Sequence, residues 1–250
     1  MLGLGNKLQK TGFKKIYPGV ATGGLVLKSD FGNREVVPIS DGSAFFDGSN
    51  DYITFGNDSS TQITGAISIS LWMKSSDTSA IQYLVAKDDN TNRNFWLATE
   101  NSTGKAWFTF YNSGSNKQVK STNHNVCDGN WNHIVAIFNT STEKSSIYVN
   151  GELSAESSDH NVTTIDNDTV NLEIGRRGNG VYYYDGNICN VGIWSAALTA
   201  AQIKSIMYKN YAGLTRSETT NLVSWWNLSA VSLDGSTVVD NHGSNNGTLS

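Results

Sequence analysis

Two carboxylates four residues apart are the first groups in the chain with chemistry to offer. Asp47 and Asp51 bracket the stretch Asp47-Gly48-Ser49-Asn50-Asp51. Ca2+ collects about six to eight hard oxygens from carboxylates, amides and backbone carbonyls, so this glycine-containing turn is a candidate ligand pair. Asp47 could equally accept from the amides of its own turn and do nothing more. A second group is Arg176-Arg177-Gly178-Asn179-Gly180-Val181-Tyr182-Tyr183-Tyr184-Asp185. Sugar rings stack on tyrosine faces while Arg, Asn and Asp bond their hydroxyls, and the same composition suits a protein interface. Alternate tyrosines packed on a sheet edge would read the same way. Arg176, Arg177, Tyr182, Tyr183 and Tyr184 are therefore candidate ligand-binding residues with three readings: glycan, protein or packing.

Such loops need a scaffold, and the composition points to a β one. The chain has 250 residues, of which 16% are charged, with 24 Gly and only 2 Pro. That is a turn-rich all-β profile rather than a helical or disordered one. A net charge of −4 gives no reason to expect nucleic-acid binding. No apolar run is long enough for a membrane helix, so no membrane insertion is expected. The opening Met1-Leu2-Gly3-Leu4-Gly5-Asn6-Lys7 lacks the apolar core and cleavage site of a signal peptide. Without a secretion signal, Cys127 and Cys189 are expected to be free thiols.

From Trp131 to Phe138, residues Trp131, His133, Val135 and Ile137 share one face, and Ile134, Ala136 and Phe138 the other. A strand apolar on both faces is buried on both, so this one is expected at the centre of a sandwich. Trp131, Val135, Ile137, Trp72 and Ile193 are its expected core, and His133 a hydrogen-bonded core histidine. Ile147-Tyr148-Val149 runs into Asn150-Gly151, the pair that a type I′ hairpin turn demands. Alternation predicts further strands at Ile67–Met73, Tyr83–Ala86, Phe95–Ala98, Ala106–Tyr111, Leu172–Gly175, Ile188–Trp194 and Leu222–Leu228. One short helix is predicted at 199–208, with Thr199 and Gln202 as a capping box and Leu198 with Ile203 as the hydrophobic staple. The tail from Asp240 reads as loop.

The ordered set Phe46-Asp47-Gly48-Ser49-Asn50-Asp51-Tyr52, Ile69-Ser70-Leu71-Trp72, Asp128-Gly129-Asn130-Trp131-Asn132-His133, Tyr148-Val149-Asn150-Gly151, Ile174-Gly175, Asp185-Gly186-Asn187-Ile188 and Leu198-Thr199 resembles the laminin-G-like, concanavalin A-like jelly-roll family over roughly residues 44 to 208. The resemblance implies two antiparallel sheets, ligands that are mostly glycans or proteins, and often one bound calcium. It adds Asp185 and Asn190 to Asp47 and Asp51 as the candidate metal set, although Cys189 and Asn190 stand where the family usually has an acidic pair. The segment from Leu222 to Leu249 is similar to a stretch that usually precedes the Phe-Asp-Gly motif, yet here it follows the domain. The first six residues also resemble the start of bacteriophage virion proteins that carry this domain.

Glucanases of this fold use Glu-X-Asp-X-X-Glu on one strand to place a nucleophile and an acid. None of the glutamates here has that spacing, and no metalloprotease, nucleophile-elbow or phosphate-loop motif occurs. Enzymatic activity is not expected. Residues 1–39 read as an extended arm and 40–250 as the jelly-roll domain. The arm's first 28 residues hold five lysines and no acid, which leaves −9 on the remainder of a chain of net charge −4. Exchange of arms between copies would suit that charge and build a homo-oligomer. The sequence thus predicts a non-enzymatic binding or structural module at a virion or other extracellular surface, such as a capsid decoration or tail adhesin. Its partners would be other virion proteins, further copies of itself or a cell-surface glycan. The alternative is a carbohydrate-binding accessory domain or a glycan-processing enzyme.

Overall fold

Ile134, Ala136 and Phe138 belong to the same buried cluster as the second sheet, whereas Val135 and Ile137 belong to a different one on the opposite face of their strand. This division organises the whole molecule. The computed structural model describes residues 28–30, 35–37, 40, 42–122, 124–229, 233–234 and 236–250. Among these, two antiparallel sheets stack as a sandwich. The first has seven strands, in the order β12 (Glu152–Glu156), β11 (Lys144–Val149), β10 (Asn132–Asn139), β5 (Ile67–Lys74), β14 (Asp185–Trp194) and β15 (Leu222–Trp226), with β3 (Ala44–Asp47) also paired to β14. The second has nine: β16 (Leu233–Asp234), β17 (Thr237–Val238), β18 (Gly247–Leu249), β4 (Ile53–Thr54), β13 (Glu173–Ile174), β6 (Gln82–Asp88), β7 (Arg93–Thr99), β8 (Ala106–Asn112) and β9 (Ser115–Lys120). Apart from them, β1 (Lys28–Asp30) and β2 (Glu35–Val37) pair with each other inside the segment read as an arm. Residues 1–27, and with them the arm-exchange expectation, lie outside the described residues.

The core between the sheets is built from alternate residues of facing strands: Ile67, Ile69, Leu71 and Met73 from β5, Phe95 and Leu97 from β7, Phe108 and Phe110 from β8. Phe110 and Phe138 meet across it with ring centroids 4.1 Å apart. The far face of the seven-stranded sheet is covered as well. There α1 (Ala200–Ile206) buries Ile203 and Ile206 against Val135, Ile137, Trp194, Leu222 and Trp225. The helix starts as its sequence dictates. Thr199 accepts from the Gln202 amide, the Gln202 side chain bonds the Thr199 backbone in return, and Leu198 and Ile203 are both buried.

Three expectations need correction in detail. Trp131 precedes β10 and is only half-buried, and so is Trp72, whose Nε1 donates to the Met207 carbonyl at 3.0 Å. Val135 and Ile137 are buried as expected, but under the helix rather than between the sheets. The tail beyond Asp240 is not all loop, because β18 pairs with β4 through Thr248 and Thr54. The Asn150-Gly151 turn does form, with φ of 52° and 81°, the two positive values that a type I′ turn requires. Cys127 and Cys189 are buried, and neither is in a disulfide.

Candidate functional site

The two faces of the nine-stranded sheet differ in kind. Phe95, Leu97, Phe108 and Phe110 point into the sandwich, so the residues between them point out. These form a separate cluster of Tyr83, Ala86, Trp96, Ala98 and Tyr111, with Ile81 and Trp107 packed against it. Register sets the pattern: Tyr83 lies opposite Ala98 and Ala98 opposite Trp107, while Ala86 lies opposite Trp96 and Trp96 opposite Thr109. Trp96 meets Tyr83 at 5.0 Å and the edge of Trp107 at 4.8 Å, ring centre to ring centre. The small Ala86 and Ala98 leave the aromatic rings room to lie along the sheet. Burial holds the Tyr83 hydroxyl protonated far above its ordinary range.

Charged groups ring this aromatic floor, mostly in compensated pairs. Lys120 lies 3.7 Å over the Trp107 ring and bonds Glu100 at 2.5 Å. Trp107 Nε1 donates to Gln118 at 2.9 Å. Arg93 donates to the Tyr111 hydroxyl and to Asn90, and lies over the Tyr111 ring. The aromatic face was missed in the sequence because Trp96, Trp107 and Tyr111 read there only as members of strands. The available signal was that β7 and β8 are aromatic on both faces, although only one of those faces can meet the other sheet.

The segment from Arg176 to Tyr184 borders this face, and its residues part company. Tyr182 is 41% exposed, has φ of 60°, and stacks on Tyr83 at 5.6 Å with the planes 14° apart. Tyr183 is half-buried, and its hydroxyl accepts from Arg176 at 3.4 Å. Arg176 grips both oxygens of Glu173 at 2.8 and 3.0 Å and lies 3.2 Å above the Tyr52 ring. Arg177 is nearly buried, with Nε 2.6 Å from Asp88 Oδ1. Tyr184 does not belong with them. It is fully buried in the core between the sheets, edge-on to Phe46, so its ring has no face for a ligand.

The proposed metal set is only partly brought together. Asp47 and Asp185 are register partners at the end of β3 and β14. Asp47 Oδ1 accepts from the amides of Ser49 and Asn50 at 2.8 and 3.2 Å, and Asp51 Oδ2 accepts from the Asp47 amide at 3.1 Å. The Ser49 amide bond, with that of Asn50, holds the Asp47 carboxyl below its usual range. Asn190 is five residues further along β14, buried, beyond the stretch that pairs with β3. Among the described residues no three His, Cys, Asp or Glu side chains gather as they would around a metal ion. Asp47 and Asp51 bond amides of their own turn, Asp185 is the register partner of Asp47, and Asn190 lies apart from these three. His133, on β10 of the same seven-stranded sheet, is a core residue: burial pulls its pKa down to about 3, and its Nε2 shares a hydrogen bond with Ser70 at 2.9 Å.

Residues 47–204 match the family model of the concanavalin A-like lectin/glucanases superfamily. The chain belongs to that family. Among solved structures, a candidate carbohydrate-binding protein from Bacteroides ovatus superposes with a TM-score of 0.66 at 20% identity, over 83% of this chain and 57% of that one. This concanavalin A-like chain therefore spans little more than half of that relative. The CBM40 module of the Ruminococcus gnavus IT-sialidase, bound to α2,3-sialyllactose, aligns at 0.52 and 16% identity over 66% of this chain and 96% of its own. The NanB sialidase of Streptococcus pneumoniae aligns at 0.52 and 15% identity over 65% of this chain, which covers 27% of the sialidase. At these identities the likeness is one of fold. No curated protein matches the chain.

Proposed function

We propose that the chain is a non-enzymatic glycan-binding module and that the outer face of the nine-stranded sheet is its binding surface. The observation that carries this reading is the aromatic cluster of Tyr83, Trp96, Trp107 and Tyr111 on a sheet face that α1 does not cover. Tyr83, Trp96 and Tyr111 are themselves buried, so the cluster meets solvent through the half-buried Trp107 and the exposed Tyr182 beside it, and these are the rings offered to a ligand. Sugar rings present flat C–H faces to aromatic planes, and the fringe of Gln118, Lys120 and Arg93 supplies donors and acceptors for hydroxyls. The membership of lectins in the family supports the same reading. So does the description of the Bacteroides relative as a candidate carbohydrate binder.

The absence of turnover is part of the proposal. Asp88, Glu100 and Glu173, acids beside the aromatic face, are held by Arg177, Lys120 and Arg176. None stands ready as the free nucleophile or the protonated acid that glycoside cleavage needs. Display on a virion, which the opening residues suggest by resemblance, is the setting in which we place the module. Mass spectrometry of purified particles tests that placement.

The test of binding is a glycan array probed with the full chain. Retention of a defined subset of glycans is expected, with no released sugar after prolonged incubation. Trp107→Ala and Tyr182→Ala should each weaken retention at least tenfold while leaving the melting temperature within a few degrees. An array with no retained glycan, or variants that bind as well as the parent, would overturn the reading.

A further inference from the structure

The helix α1 covers only part of the outer face of the seven-stranded sheet. Its limit is marked by Trp72, whose indole donates to the carbonyl of Met207, the residue after the helix. Beyond that line the register lays out one more row. Phe45 on β3 lies opposite Asn187 on β14, and Asn187 opposite Lys74 on β5. Asn132 is the partner of Met73, so carrying the antiparallel register one residue on sets Trp131 opposite Lys74. Phe46, Met73 and Ile188 point into the core, so Phe45, Lys74 and Asn187 point away from it. The row is open. Phe45, at 63%, is the most exposed of the large hydrophobic residues described, and Trp131, Lys74 and Asn187 are half-buried. A phenylalanine sharing a row with an indole is more than a lone apolar residue in water.

Negative charge borders this row. Two residues further along the same strands, and so on the same face, Asp47 and Asp185 are register partners and exposed. Asp128, also exposed, belongs to the loop before Trp131, which is tied to β5 by the Gly129 amide donating to the Ser75 carbonyl at 2.9 Å. The ion pairs found among the described residues use other carboxylates than these three. The chain itself carries the complement. It enters β3 at this face, where Ser43 Oγ accepts from the Asn187 side chain at 3.2 Å. Residues 1–27 hold four lysines and no acid, and their two aromatic residues both fall in Phe13-Lys14-Lys15-Ile16-Tyr17. The tether is short. Lys28 pairs with Val37, so their Cα atoms are about 5 Å apart. The chain from Val37 to Ser43 spans at most about 20 Å, and about ten extended residues cover both distances. Confined to that reach, the segment meets the row at a higher effective concentration than a separate chain would.

From this match we infer that the Phe45 row is the docking surface for the chain's own N-terminal segment. Phe13, Ile16 and Tyr17 cover Phe45 and Trp131, and Lys14 and Lys15 face Asp47, Asp128 and Asp185. The surface belongs to the other sheet from the aromatic face, so the inference stands independently of glycan binding.

Carbodiimide cross-linking of the full chain, which joins amines to carboxylates in contact, tests it when followed by peptide mass spectrometry. Lys14 and Lys15 should be joined to Asp47, Asp128 or Asp185 within monomers. Phe45→Ser should lower the yield of those links at least fivefold while the melting temperature stays within a few degrees, since the side chain removed is exposed in the sheet. Hydroxyl-radical footprinting supplies a second reading that leaves the sandwich untouched. The double variant Lys14→Glu, Lys15→Glu should raise oxidation of Phe45 at least threefold over the parent. Lysines joined in equal yield to carboxylates elsewhere, or a Phe45 oxidised alike in parent and double variant, would each overturn the inference. Links found only between copies would overturn it too, in favour of exchanged segments.

Discussion

Lys87 and Asp88 are consecutive in β6 and serve opposite faces of the sheet. Lys87, fully buried, donates to the Asn57 side chain and to the Val170 carbonyl at 2.6 Å, with no carboxylate bonded to it among the described residues. Asp88, equally buried, is held from the outer side by Arg177. One strand therefore carries an unpaired cation into the core side and a paired anion beneath the candidate binding face.

Burial lowers the Lys87 pKa to about 8. In the unfolded chain the same group titrates near its ordinary value of about 10.4. Between those two values the unfolded state binds more protons, so stability should rise as the pH is taken from 8 toward 10, by about 2 kcal/mol in all. Urea midpoints measured at several pH values across that window check this. In Lys87→Met the slope should vanish.

His133 gives the acid limb. Its native pKa of about 3 lies well below the unfolded value of about 6.5. Stability is then complete above pH 6.5 and falls steadily down to about pH 3, by on the order of 4 kcal/mol. His133→Asn should flatten that limb in denaturant titrations, whatever its effect at neutral pH.

Tyr182 and Tyr184 should respond in opposite ways. Tyr184→Ala empties a fully buried site and is expected to cost about 3–5 kcal/mol. Tyr182→Ala removes an exposed ring held in a left-handed conformation and should change stability by less than about 1 kcal/mol. Thermal melts of the two variants settle the contrast.

For calcium the expectation is no effect. Asp47 and Asp51 already accept from amides of their own turn. Neither excess chelator nor millimolar CaCl2 should move the melting temperature. A shift of several degrees in either direction would restore a metal site at this turn.

Much of the fold was legible because it rests on local rules. Period-two alternation placed β5 and β10, Asn150-Gly151 fixed a hairpin, and Thr199 with Gln202 marked the start of α1. The candidate binding face was less legible for a physical reason. Alternation shows that a strand has two faces but not which of them meets the other sheet, so Trp96 and Trp107 read only as members of strands. The run Tyr182-Tyr183-Tyr184 drew attention by composition, yet the chain turns there from an exposed loop into β14, and Tyr184 ends among the buried rings. Trp131 was misjudged in the same way. It sits at the mouth of β10, half-buried, so Trp131→Ala should cost less than the roughly 3–5 kcal/mol of a buried aromatic. Short polar β18 had no apolar pattern to show, and only its pairing with β4 makes it a strand.

That pairing has a bearing on how the molecule is made. β18 sits inside the nine-stranded sheet, with β17 on one side and β4 on the other, although about 190 residues separate β18 and β4 along the chain. Tyr52 and Ser250 exchange two backbone hydrogen bonds at 3.0 Å on the same seam. On the ribosome, β4 must therefore wait with one edge open until residue 249 has emerged, while β5 to β14 can already pair around it. Closing so long a loop is slow. Docking of β17 and β18 into this gap can therefore follow, but not precede, synthesis of the strands around it. A nascent chain stalled before residue 247 would display an unpaired edge to any other strand within reach.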